Sequence, residues 1–153
     1  MAWLLPSKSV VPWNQFFLLQ ELDSQIDHLR EELQLASLLN DERTAHLDPQ
    51  IARSRQRAES IEERLHSRQE QRAETAASIP PEPLAYYENL RQRLKVRPWV
   101  VAFSGSSCPA CNVILPSKVV GDADLVVRPI ACPGCDRLLI RRGAGAQNRL
   151  GGK

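Results

Sequence analysis

CPACNVILPSKVVGDADLVVRPIACPGC, residues 108–135, decides how the second half of this chain folds. Two Cys-x-x-Cys steps, Cys108/Cys111 and Cys132/Cys135, are separated by 20 residues in the pattern C-x2-C-x20-C-x2-C, the spacing of four-cysteine zinc sites. Two cysteines three apart turn both sulfurs toward one point only if the chain makes a tight turn. Pro109 and Pro133 pre-set φ for that turn, and Asn112 and Asp136 follow where a left-handed residue is often required. Two such knuckles facing each other offer four thiolates at about 2.3 Å in a tetrahedron. A metal held this way has no open position. The expected cofactor is therefore one structural Zn2+ per chain on Cys108, Cys111, Cys132 and Cys135. The competing chemistries are two disulfides, a redox-active Cys-x-x-Cys, and iron in the same tetrathiolate geometry. A reducing cytosol disfavours stable disulfides. A thioredoxin-like site needs one such motif opening a helix in a βαβ pattern, whereas here two motifs sit beside prolines.

Around the knuckles, short apolar or β-branched runs read as strands: Trp99–Phe103, Val113–Leu115, Leu125–Val127 and Leu138–Ile140, each bounded by Gly, Pro or Asp. A sheet this small buries too little surface to be stable by itself. Metal binding, worth on the order of 10 kcal/mol, is expected to supply most of its folding free energy. Upstream, Ile79-Pro80-Pro81-Glu82-Pro83 places three prolines within four residues, which cannot continue a helix and so mark a boundary. A short helix from Leu84 to about Lys95 is expected to join this boundary to the first strand. The tail, residues 141–153, offers almost nothing to bury and reads as a disordered basic terminus.

Before the prolines the pattern becomes helical. From Leu19 the apolar positions step three and four: Leu19, Leu22, Ile26, Leu29, Leu33, Ala36, and onward to Asn40, Arg43 and Leu47. A spacing averaging about 3.5 residues makes one narrow stripe, the seam of a coiled coil. Asn14 is the expected N-cap. Leu47-Asp48-Pro49 ends this helix and starts another, with Asp48 as N-cap and Pro49 at the first helical position. The second helix, about residues 50–78, has a poorer seam of Ala58, Ile61, Leu65, Arg68, Arg72 and Ile79. Residues 14–47 carry 7 acids and 2 bases, and residues 49–79 carry 5 acids and 6 bases. Similar lengths, a tight break and this charge difference point to an antiparallel hairpin, each arm about 50 Å long. The competing arrangement is one long kinked helix that pairs with another chain.

Composition narrows the function classes. The chain has 153 residues, 42% hydrophobic, 25% charged and 5% aromatic, with a net charge of +2, which excludes both a wholly basic coat protein and a purely acidic disordered chain. Glycoside-hydrolase, α/β-hydrolase and nucleotide-binding folds do not suit this length. No apolar run approaches the roughly 18 residues that span a bilayer, and Met1-Ala2-Trp3-Leu4-Leu5-Pro6 has no basic signal-peptide region. No membrane association and a cytoplasmic location are expected. The charge is split: residues 14–79 carry −5 and residues 80–153 carry +6. The expected fold class is mainly α, an antiparallel coiled-coil hairpin followed by a small β zinc ribbon. Its expected divisions are an irregular segment 1–13 containing Trp3 and Trp13, a hairpin 14–79, a connector with a short helix 80–98, a ribbon 99–140 and the tail 141–153.

Four stretches carry a resemblance to a known bacterial family, the coiled-coil proteins with a C-terminal C4-type zinc ribbon. Leu18–Asp27 (LLQELDSQID) resembles the family's opening helix, and Ile79–Arg91 (IPPEPLAYYENLR) its proline-tyrosine connector. Cys108–Pro116 (CPACNVILP) and Cys132–Ile140 (CPGCDRLLI) resemble its two knuckles. The likeness covers most of residues 16–140. It implies a hairpin bearing a ribbon, with the four cysteines as ligands. It also implies an adaptor whose protein partners include the alternative, nitrogen-type sigma factor and flagellar or type III secretion components, and a role in RNA binding. The helical arms here are much shorter than the family's usual ones, and the tail after Ile140 is extra.

Three functions are weighed on the residues. A non-catalytic protein–protein adaptor suits a long charged helical face beside a compact end. Nucleic-acid binding, with RNA as partner, would use Arg91, Arg93, Arg97, Arg128, Arg137, Arg141 and Arg142, with Lys95, Arg149 and Lys153 nearby and Trp99 and Phe103 as stacking faces. Against it, four thiolates on Zn2+ subtract about two charges from this half, and Trp99 and Phe103 alternate with Val101 as core residues do. An enzyme is disfavoured. His28, His46 and His66 lie far in sequence from the cysteines, no phosphate loop or nucleophile motif is present, and no small-molecule substrate is expected.

Overall fold

The computed structural model describes residues 13–38, 49–125 and 129–142, with backbone alone for 122–125. In chain order the elements are α1 (Gln15–Leu38), α2 (Pro49–Ala77), α3 (Pro81–Arg93), β1 (Val100–Phe103), α4 (Ser117–Leu125), β2 (Ile130–Ala131) and β3 (Leu138–Arg141). The fold is mainly helical, with two long helices packed together and a small sheet near the C-terminus. Two compact units divide it: Leu18–Ala77, and the described residues up to Phe17 together with those from Ser78 onward. No helix among the described residues is long and apolar enough to cross a membrane.

In the helical unit the stripe expected on α1 is buried at Leu19, Leu22, Ile26, Leu29 and Ala36, with Leu33 half-buried. The continuation to Asn40, Arg43 and Leu47, the Leu47-Asp48 break and His46 lie outside the described residues. α2 begins at Pro49, where the missing N–H leaves no helical bond unmade. It buries only Ile61 and Thr75, and Ala58, Leu65, Arg68 and Arg72 are half-buried. Asp23 explains the arginine in that poor seam. The carboxylate is 1% exposed and lies within the apolar stripe of α1. It accepts Nε–H of Arg72 at 2.6 Å and a second guanidinium N–H at 3.5 Å. A carboxylate buried among leucines is tolerated only when a fixed cation meets it.

The second unit contains an aromatic run. Trp13 stacks on Phe16 (centroids 6.2 Å apart, planes at 8°), Phe16 tilts against Tyr87 at 5.7 Å, and Tyr87 meets the Trp99 edge at 6.3 Å. Trp13 is thus part of the core of this unit, and Trp3 lies outside the described residues. α3 starts at Pro81, earlier than the expected Leu84, because a helix's first-turn N–H groups have no intrahelical partner for a proline to remove. Leu84 N–H already donates to Pro80 C=O at 3.2 Å.

The sheet runs β1-β3-β2, with β1 parallel and β2 antiparallel to β3. Val100 faces Leu138 and Phe103 faces Arg141 in register. β3 therefore extends through Arg141, and Arg142 N–H still donates to Phe103 C=O at 2.9 Å, so order passes the expected boundary at residue 140. Two of the expected strands are corrected. Val113–Leu115 yields a single antiparallel bridge between Ser107 and Ile114. Leu125 closes α4, which the β-branched pair Val119-Val120 and Gly121 did not announce, while residues 126–128 lie outside the described residues. Phe103, Cys108, Leu115, Cys132 and Leu139 form the small core, with Val101, Val113, Val120 and Ile130 around it.

Candidate metal centre

Each Cys-x-x-Cys step is folded by the same three devices. In the first, Asn112 N–H donates to Cys108 C=O at 2.8 Å and Cys108 N–H to Val113 C=O at 2.9 Å. In the second, Asp136 N–H donates to Cys132 C=O at 2.9 Å and Cys132 N–H to Arg137 C=O at 2.9 Å. The residue after each second cysteine is left-handed, with φ of 61° at both Asn112 and Asp136. Asn and Asp tolerate that region better than other side-chain-bearing residues. Pro109 and Pro133 hold the preceding corner.

The four thiols meet as a consequence. Sγ of Cys108 is 3.8 Å from that of Cys135, and Sγ of Cys111 is 3.6 Å from that of Cys132. All four ligand atoms lie within 4.8 Å of one another, and all four thiols are free of disulfides. A tetrahedron with metal–sulfur bonds of about 2.3 Å has sulfur–sulfur edges of about 3.8 Å. The cluster therefore has the size to hold one metal ion through four thiolates. Cys108 and Cys132 are buried and Cys111 is exposed.

The thiols differ in acidity. Burial pushes Cys132 up to about 12, with the neighbouring thiols of Cys111 and Cys135 adding to the rise against N–H donors from Gly134 and Cys135. Burial also opposes ionisation of Cys135, but the Arg137 N–H, the Arg137 side chain and the thiols of Cys111 and Cys132 bring it down to about 7. Gly134 N–H donates to Cys132 Sγ at 3.4 Å. A Cβ at Gly134 would stand 3.0 Å from Val113 Cγ1 and 3.2 Å from Cys111 Sγ, so any larger residue needs Val113 or Cys111 to give way by a few tenths of an ångström.

Residues outside the cysteine motif hold the second knuckle. Tyr86 Oη–H donates to Asp136 C=O at 2.8 Å, and Arg93 donates to Asp136 Oδ2 at 3.3 Å. Burial, then the nearby Asp136 carboxylate, raises the Tyr86 hydroxyl above its ordinary range. Arg137 Nε–H reaches back to Pro98 C=O at 2.6 Å. Tyr86 and Gly134 were not among the site residues expected from sequence, and Arg93, expected to bind nucleic acid, instead contacts Asp136.

The arginines expected to bind nucleic acid are largely engaged with the protein. Arg91 and Arg97 lie 5.2 and 5.7 Å over the Trp99 ring, and Arg91 also pairs with Glu88 at 3.6 Å. Arg141 lies 5.3 Å over Phe103 and donates to Gly105 C=O at 3.4 Å. Arg93 and Arg137 hold the second knuckle, Arg142 and Lys95 are exposed, and Arg128, Arg149 and Lys153 lie outside the described residues. Trp99 and Phe103 are 4% and 1% exposed, which leaves no ring face for a base to stack on. His28 and His66 sit on the surface of α1 and α2, beside Glu32 and Glu70.

No family model and no curated protein matches the chain. Among solved structures it is similar to CT398 from Chlamydia trachomatis, at 18% identity and a TM-score of 0.53, over 84% of this chain and 75% of that one. It also matches the HP0958 protein from Helicobacter pylori at 16% identity and a TM-score of 0.38, over 86% of this chain and 73% of that one. The likeness to the first is one of fold.

Proposed function

We propose that this chain is a non-catalytic cytoplasmic adaptor of the coiled-coil and C4 zinc-ribbon type, in which α1 and α2 form an antiparallel hairpin and one Zn2+ holds the ribbon. The observation that carries the reading is the closed set of four thiols within 4.8 Å, which leaves a bound metal no position for a substrate. The antiparallel reading is supported by the Asp23–Arg72 pair, which couples the early part of α1 to the late part of α2. Glu32 and Ala36 late in α1, and Gln50 and Arg53 early in α2, line one depression. The ribbon is the folding unit that the metal stabilises, and the hairpin is the surface offered to a protein partner. The resemblance points to a sigma factor or a flagellar or secretion component.

The test is affinity capture with the zinc-loaded full chain, after metal analysis has established one zinc per chain under reducing conditions. Recovery of a discrete protein partner that the free ribbon mutant Cys111→Ser still captures through its helices supports the adaptor. The second reading, RNA binding, has the exposed Arg142 and Lys95 in its favour. It requires micromolar binding of single-stranded RNA with a steep salt dependence. Such binding in the absence of any captured protein would replace the adaptor reading.

A further inference from the structure

Every leucine on the buried stripe of α1 is covered, yet two leucines near its end are not. Leu35 is 65% exposed and Leu38, one turn on, is 75% exposed. Leu35 and Ala36 line a groove of about 510 Å³ together with Arg53, Ser54 and Arg57 of α2, and its lining is largely apolar. Arg53 and Arg57 are four residues apart and so present their guanidinium groups from one helix face. Neither makes an ion pair with another described residue, and Glu32, which also lines the groove, contacts His28 at 3.7 Å. The groove thus combines an apolar floor with two cations that form no ion pair among the described residues.

We propose that this groove docks an acidic amphipathic helix of a partner protein, its leucine-like anchors on Leu35 and Ala36 and its carboxylates on Arg53 and Arg57. The proposal rests on the adaptor reading and names the chemistry of the partner. A groove between two helices accepts a third helix through anchors at i, i+3, i+4 and i+7, because a helix brings no unpaired backbone groups into the contact. The charge comes from the arginines: a carboxylate on the incoming helix meets a cation that pairs with no described residue. A second copy of this chain fits less well. A two-fold axis through the groove would bring Arg53 and Arg57 toward their own equivalents. Nucleic acid would satisfy the arginines but leave the leucines unmatched.

The test titrates the zinc-loaded full chain with three fluorescent peptides by anisotropy at low salt. One peptide carries leucines at i, i+3, i+4 and i+7 among glutamates, one replaces glutamate by lysine, and one replaces leucine by serine. The glutamate–leucine peptide is expected to bind about tenfold tighter than either control, and Leu35→Ser is expected to weaken it by about fivefold or more. The double variant Arg53→Glu/Arg57→Glu is expected to transfer the preference to the lysine peptide. These side chains are exposed, so helicity by circular dichroism and zinc content serve as the check on folding, with Leu38→Ser as a second variant. Equal binding of the three peptides overturns the proposal. So does indifference to Leu35→Ser, or a self-association of the free chain that Leu35→Ser abolishes. The same variants separate this proposal from the adaptor reading. A partner captured equally by the wild type and Leu35→Ser overturns the groove alone. Peptide binding as expected without any captured protein overturns the adaptor alone.

Discussion

The first knuckle closes with Asn112 N–H on Cys108 C=O at 2.8 Å, and the second with Asp136 N–H on Cys132 C=O at 2.9 Å. Both then turn left-handed at φ 61°. The backbone is the same, but the surroundings are not. Asp136 is gripped by Tyr86 and Arg93 of α3, and Arg137 by the carbonyl of Pro98. The first knuckle has the Ser107–Ile114 bridge and the hydrogen bond from Leu115 N–H to Ser106 C=O at 2.7 Å. The turn chemistry thus positions sulfurs without help, and tertiary contacts decide how firmly each pair is held once the metal is gone. The second knuckle is the anchored half of the site, and the first would depend more on a bound ion.

The largest effect that tests this difference is metal removal. Chelation is expected to cost the second unit on the order of 10 kcal/mol of stability, leaving α1 and α2 helical. In amide exchange, protection should vanish at Cys108 and Asn112 before it vanishes at Cys132 and Asp136. The reverse order would break the comparison. Metal uptake has a pH dependence of known sign. In the metal-free fold the Cys132 thiol, pushed up to about 12, is protonated at neutral pH, so binding releases its proton. Apparent affinity should therefore fall about tenfold or more for each pH unit of acidification, as a competitive metal titration would measure.

Next in size is Gly134→Ala. The added methyl stands 3.0 Å from Val113 and 3.2 Å from Cys111 Sγ, so it forces apart the two knuckles at their contact. A loss of about 1–3 kcal/mol is expected, with weaker metal binding. Ala110→Gly at the corresponding step of the first knuckle should change stability much less, by about 1 kcal/mol at most. Equal effects would mean that the crowding at Gly134 is relieved at no cost.

Smaller still is the pair Asp136→Ala and Asn112→Ala. Each places a residue with a Cβ and no compensating side chain in the left-handed region, about 1 kcal/mol. Asp136→Ala also gives up the Arg93 contact, which is exposed and adds a few tenths of a kcal/mol at most. Denaturant melts of the zinc-loaded chain should rank Asp136→Ala as the less stable. The smallest effect belongs to Tyr86→Phe, which removes one hydrogen bond to the Asp136 carbonyl, about 1 kcal/mol. It should shorten amide protection in the second knuckle alone.

The cysteine-bearing half was legible where short-range geometry rules. Cysteine spacing, the two prolines, and Asn112 and Asp136 in the left-handed position are all local properties. The stripe Leu19 to Ala36 was legible because periodicity reports burial directly. The parts that were not legible depend on distant partners. α4 contains Val119, Val120 and Gly121, residues of low helix propensity, and is helical because Val120 packs on the small core. The parallel pairing of β1 with β3 joins residues 38 positions apart, as Val100 to Leu138, and no local signal encodes it. The burial of Asp23 was not legible because its cation, Arg72, stands 49 residues away in a helix with a weak seam.

That pairing has a consequence for how the sequence can change. Asp23 and Arg72 are 49 residues apart yet share one hydrogen-bonded contact. Losing either alone strands a charge in the helical unit, at about 3–5 kcal/mol when such a pair is broken one partner at a time. Replacing both together with apolar residues of similar volume is close to neutral. The two positions are therefore inherited as one character, and homologous chains should show Asp with Arg, or two apolar residues, but rarely one without the other. The same coupling limits changes of arm length. Residues can be added or removed beyond the pair only in matching amounts on both helices, so that Arg72 still reaches Asp23.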